Sequence, residues 1–192
     1  MSQATPQHRA IADYLTDAFG GEIRVMGQSY HDGLSVNVLV SSGAPEGDYL
    51  SCSTIGLSDR ELVLEDEPMG FGVELCGALY ADEMPFVEML ADIAHEVQTG
   101  EWSIGLGTIL PDVVQAYFPG STMQHLLLVH PFFWDEDFGV FEQDGRKTVW
   151  LQIIPISGSE FELAEEEGLE ALEDKLEASG ADVFDLLRAP VV

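Results

Sequence analysis

Positive charge is the scarcest commodity in this sequence. Its 192 residues hold 7 lysines and arginines against 35 aspartates and glutamates, a net charge of −28. Nucleic-acid binding depends on cationic side chains placed at phosphates, so such a chain repels nucleic acid. Anionic membrane surfaces repel it as well. Cysteine is nearly missing, with Cys52 and Cys76 as the only two. The first residues, Met1 to Pro6, lack the basic stretch and apolar core of a secretion signal. Together these features predict a protein of the reducing cytoplasm. No apolar run reaches the roughly 18 residues needed to cross a bilayer. Internal repeats and long linkers are also absent.

The usual arrangements of catalytic and metal-binding residues are missing too. The five histidines, His8, His31, His95, His125 and His130, form no Cys-x-x-Cys or His-Glu-x-x-His pattern. Gly27-Gln28-Ser29-Tyr30-His31 begins like a nucleophile elbow but lacks the second glycine and falls in a predicted hairpin. Gly105-Leu106-Gly107-Thr108 is too short for a phosphate cradle and has no following lysine. Cys52 and Cys76 lie on predicted strands among apolar neighbours, where a thiol is inert. No catalytic residue, metal ligand or cofactor is therefore assigned. With 35 acids, pairs of carboxylates arise by chance, so their spacing carries no information.

Hydrophobic residues make up 46% of the chain, an ordinary globular share. Residues 1–192 are read as one domain. Thr5-Pro6 starts a helix with apolar positions Ile11, Tyr14, Leu15, Ala18 and Phe19, ended by Gly20-Gly21. Strands over 22–30 and 34–40 flank Asp32-Gly33 as a hairpin. A loop is expected at 42–48, and strands at 49–55 and 71–80. A helix from Pro85 to Gly100 carries a stripe of Phe86, Met89, Leu90, Ile93, Ala94 and Val97. Residues 105–119 read as irregular or as a short helical turn. Leu126–Val129 reads as a buried strand. Residues 138–141 and 148–156 flank Asp144-Gly145 as a second hairpin. Ser157 with Glu160 matches a capping box, starting a helix toward Ser179 with a break at Gly168. A short element closes at 182–188. Strands outnumber helices without regular alternation, which predicts an α+β fold rather than a doubly wound parallel sheet.

Two acidic segments are candidates for contact with a partner. Trp134, Asp135, Glu136 and Asp137 place carboxylates between aromatics, a composition suited to an interface with a basic protein. Glu165, Glu166 and Glu167 form the second, within a stretch from Glu160 to Asp185 that holds eleven acids against Lys175 alone. Solvation of a helix face accounts for the same residues, and net charge serves solubility or high salt as readily as a partner.

Three blocks resemble the Suppressor of fused domain family. The first is Ser53-Thr54-Ile55-Gly56-Leu57-Ser58, followed by Glu74-Leu75-Cys76-Gly77-Ala78. The second is Leu127-Leu128-Val129-His130-Pro131-Phe132-Phe133. The third is Val149 to Ile156 running into Ser159-Glu160-Phe161-Glu162-Leu163-Ala164, with Gly168 and Leu172. The resemblance spans about residues 35–188. It departs from the family at Gly105–Thr108, where family members often carry a histidine. It implies an α+β fold with a mixed, largely antiparallel sheet and packed helices, and a non-enzymatic protein-binding module. Among single-domain bacterial relatives it implies an immunity protein that neutralises a toxin by occlusion, for which a basic nuclease domain is the natural counterpart of an acidic inhibitor. The competing expectation is a metal-dependent hydrolase, or another small-molecule enzyme using acidic residues.

Overall fold

The computed structural model describes residues 4–43, 49–60, 63–64, 67–68, 70–80 and 82–192. Most of the predicted 42–48 loop, residues 44–48, lies outside them. Helix α1 (Pro6–Phe19) begins as its sequence requires. The Thr5 hydroxyl accepts from the His8 N–H, and Pro6 fills the first helical position, where no N–H is needed. Strands β1 (Glu22–Ser29), β2 (Ser35–Ser42) and β3 (Leu50–Ile55) follow, then a small hairpin of β4 (Val63–Leu64) and β5 (Glu67–Pro68). Next come β6 (Gly72–Leu79) and α2 (Glu83–Thr99). The helix starts two residues before Pro85. A proline is tolerated there because N–H groups of the first turn have no intrahelical partner.

β7 (Ile109–Leu110), α3 (Val113–Tyr117), β8 (His125–Val129), β9 (Val140–Gln143) and β10 (Arg146–Ile156) lead to α4 (Gly158–Glu167) and α5 (Leu169–Ser179). The ambiguous 105–119 stretch thus holds a short strand and a short helix. Asp144 and Gly145, both with positive φ, make the two-residue turn that joins β9 to β10. Gly168 separates α4 from α5, at the predicted break.

Eight strands form one mixed sheet in the order β1-β2-β3-β6-β10-β8-β7, with β9 against the first half of β10. Among the described residues only β6 and β10 run parallel. Residue alternation along β10 sends Leu151 and Ile153 to one face, with α2, and Trp150 to the other, with α1. Ile154 and Ile156 share the Trp150 face and meet Leu172 and Leu176 of α5. The result is a sheet sandwiched between α2 on one side and α1, α4 and α5 on the other. Eight α2 side chains are buried, among them Phe86, Met89, Leu90 and Ile93. Each such burial stabilises the fold by about 1.5–3 kcal/mol before conformational entropy is subtracted.

Pro155 sits inside β10 without disturbing it. Its carbonyl accepts from Arg188 Nη2 at 3.1 Å rather than from β8. The ring nitrogen on that same side faces no strand, because the pairing with β6 ends at Gln152.

Candidate functional site

The polar groups buried in this fold are largely satisfied from within. The Glu74 carboxylate accepts from Thr54 Oγ1 (2.6 Å), Ser58 Oγ (2.7 Å) and the N–H groups of Gly56 (2.8 Å), Ser58 (3.1 Å) and Leu57 (3.3 Å). Burial pushes its pKa up, and those donors oppose the shift. Glu160 accepts from the Ser157 N–H, completing the capping box, and from both terminal nitrogens of Arg188 at 2.6 and 2.7 Å. The Val191 N–H adds a further bond at 2.9 Å. Burial alone would raise the Glu160 pKa; Arg188 and the two backbone donors hold it below the usual carboxylate range. Asp92 accepts from Tyr30 Oη, Tyr117 Oη and Gln28 Nε2. These clusters tie the fold together, and the Asp92 cluster also borders an open pocket of about 580 Å³ with His95 and Glu96.

The sequence candidates for chemistry have equally plain positions. His8 pairs with Asp59, and His95 pairs with Asp32 while stacking on Tyr30. His125 accepts from the Asp112 N–H, and burial lowers its pKa. His31 and His130 are exposed. Both thiols are fully buried, and burial pushes their pKa values up. Ser29 ends a β-strand rather than a strand-to-helix elbow. Among the described residues, no three His, Cys, Asp or Glu side chains gather to hold a metal ion. No helix among them is long and apolar enough to cross a membrane.

What the surface does offer is an apolar groove of about 960 Å³. Its floor comes from the end of β8 (Leu128, Val129) and from Ile154. One wall is α5, whose Leu172 is buried against the sheet while Leu169 and Leu176 border the opening. The opposite lip carries Leu106 and Phe132, exposed at 56% and 57%. Exposed apolar side chains lining one concavity are the ordinary mark of a contact surface. Glu173 and Glu177 of α5 rim it.

Both predicted acidic segments adjoin this groove along the chain. Asp135, Glu136 and Asp137 are exposed on the loop that follows Phe132, and Glu165, Glu166 and Glu167 are exposed on the last turn of α4, just before Leu169. Trp134 does not join them at the surface. It is 7% exposed, stacks on Phe19 with ring centroids 4.6 Å apart, and donates to Ser51 Oγ at 3.3 Å. The tryptophan anchors the loop from inside, leaving three carboxylates outside. The groove residues escaped sequence reasoning because Leu106, Phe132 and the α5 pair Leu169 and Leu176 lie on three segments far apart in the sequence. The only local hint was an apolar Phe132-Phe133 pair abutting an acidic run.

The model of the Suppressor of fused protein (SUFU) family matches residues 27–189. The chain belongs to the Suppressor of fused family. Similar proteins include the immunity protein YqcF of Bacillus subtilis (strain 168), 30% identical over 191 residues and covering 98% of each chain. Among solved structures, a Suppressor of fused homologue from Neisseria gonorrhoeae FA 1090 superposes with a TM-score of 0.72 at 18% identity, over 97% of both chains. A Sufu–Fu complex structure gives 0.68 at 16% identity, over 98% of this chain and 93% of that one. These structures share the α+β fold read from the sequence. The three family blocks now have physical reasons. Ser53–Ser58 with Glu74 builds the buried carboxylate cluster, Leu127–Phe133 builds one side of the groove, and β10 with α4 supplies the clasp that Arg188 closes.

Proposed function

We propose that this Suppressor of fused domain is a non-enzymatic immunity protein of the cytoplasm that neutralises a toxin by covering its active surface. The full-length relation to an immunity protein at 30% identity carries this reading. The apolar groove takes apolar side chains of the toxin, and the rim acids, with Asp135–Asp137 and Glu165–Glu167, face basic residues around them. A net charge of −28 steers the encounter toward a basic partner, for which a nuclease domain with a cationic substrate site is the fitting class. That the structure of a relative holds a second protein, Fu, supports protein binding as the mode of action.

Co-expression in a sensitive host with basic nuclease toxin domains, including any encoded beside this chain's gene, tests the proposal. Growth is expected to be restored, and the two proteins are expected to co-purify as a complex whose affinity falls steeply with salt. Persistent growth arrest without co-purification, when both proteins are made, would sink it.

A further inference from the structure

One cavity runs against the charge of the rest of the molecule. It measures about 350 Å³ and opens between the first turn of α1, the turn after β3 and the β9–β10 hairpin. Three of the chain's seven cations, Arg60, Arg146 and Lys147, line it. In a protein with five acids for every base, cations find carboxylates easily, as Arg24 and Arg188 do. Among the described residues, none of these three forms an ion pair. Lys147 stands opposite Glu142 in the β9–β10 ladder, yet its ammonium lies toward the Phe71 ring, 6.0 Å from the centroid. Arg60 reaches back to Gly100 at the carbonyl end of α2. Arg146 is left exposed without an ion pair among the described residues, and Lys147 is exposed with its ammonium over Phe71, which also lines the cavity.

The remaining lining suits an anion. Thr148 is only 2% exposed and lines the cavity, yet its hydroxyl bonds to no described residue. That hydroxyl is available to donate to a ligand oxygen. Gln7 brings in the first turn of α1, which contains no acid and presents the positive end of a 14-residue helix. Asp59, the one acid among the described lining residues, is already held by His8 Nε2 at 2.7 Å.

We propose that this cavity binds a phosphate-type oxyanion, either free phosphate or the phosphoryl group of a small metabolite. Arg146 and Lys147 neutralise it, and Thr148 and Gln7 donate hydrogen bonds. A polyanion is excluded by the surrounding acidic surface, so the ligand is compact. The site is independent of the toxin-docking reading.

Calorimetric titration of the whole chain with inorganic phosphate and with ribose 5-phosphate, at ionic strength fixed with NaCl, tests it. The fixed ionic strength matters because any salt relieves self-repulsion at this net charge. Saturable binding with Kd of order 1 mM is expected, with amide shifts in NMR centred on Thr148, Gly145 and Gln7. Arg146→Gln with Lys147→Gln is expected to weaken binding at least about tenfold, both residues being exposed and outside the core. Lys175→Gln, on α5, leaves it unchanged. Tighter binding of ribose 5-phosphate identifies a metabolite, and equal binding identifies free phosphate. Binding no stronger than that of chloride, or a double variant that binds like wild type, overturns the proposal.

Discussion

The two ends of α4 carry the same residue type to opposite purposes. At the first turn, Glu160 is 0% exposed, gripped by Arg188 and by the Ser157 and Val191 N–H groups. At the last turn, Glu165, Glu166 and Glu167 are exposed, with no hydrogen bond or ion pair to any described residue. A buried carboxylate persists only with a full set of donors, because leaving water costs several kcal/mol per ion. An exposed one keeps its water and contributes little to stability. So 35 acids do not make one kind of surface. A few hold the fold, and the rest set the field through which a partner arrives.

The contrast predicts a graded series of effects. Arg188→Met, which strands the Glu160 charge, is expected to cost about 3–5 kcal/mol in urea unfolding. Glu160→Gln combined with Arg188→Met should recover much of that loss, and a double variant as unstable as the single would break the account. The same pair sets an acid limb. Because the folded Glu160 carboxyl lies below its unfolded value, its contribution is complete above roughly pH 4.3. It is lost as pH falls through the folded value. Glu160→Gln should flatten that limb in pH-dependent melting.

Next in size, Phe132→Ala is expected to weaken toxin binding roughly 30-fold with little change in melting temperature, since the ring is exposed. Equal affinity would remove the groove from the interface. Asp135→Lys with Glu136→Lys is expected to slow association roughly tenfold at low salt, with dissociation nearly unchanged, as stopped-flow mixing would read. The smallest effect belongs to Glu165, Glu166 and Glu167 changed to Gln, expected to shift stability by less than about 0.5 kcal/mol. A larger shift would mean that the far end of α4 is not the solvated face it is taken to be.

Local features of the fold were legible from sequence because their physics is local. Thr5-Pro6, Asp144-Gly145 and the Ser157–Glu160 box each act within four residues, and each appears where expected. The Arg188–Glu160 clasp joins residues 28 apart with no periodic signal, so only the capping half of Glu160's work could be read. Trp134 faced the same obstacle in reverse. One tryptophan beside three acids looks like a surface anchor, and its contacts with Phe19 and Ser51, both distant in the sequence, reveal that it points inward. The acidic halves of both candidate segments were readable because charge is a property of single residues. The groove was not, because it arises from elements that meet only in three dimensions.

The one parallel pairing among the described residues, β6 with β10, has a consequence for how the chain assembles. The strands β1, β2, β3 and β6 form an antiparallel meander from one half of the sequence, and β7 to β10 form an antiparallel group from the other, in which β8 and β9 both pair with β10. They meet at one seam, where Gly77 lets Ile153 and Phe86 approach so closely that a methyl group would sit 2.5 Å from Ile153 Cγ1. Each half is thus a template lacking its complement. Two fragments divided after α2 and mixed would meet through that strip and through the α1 contacts with Trp134 and Trp150, and a bulky residue at position 77 would block the strip itself.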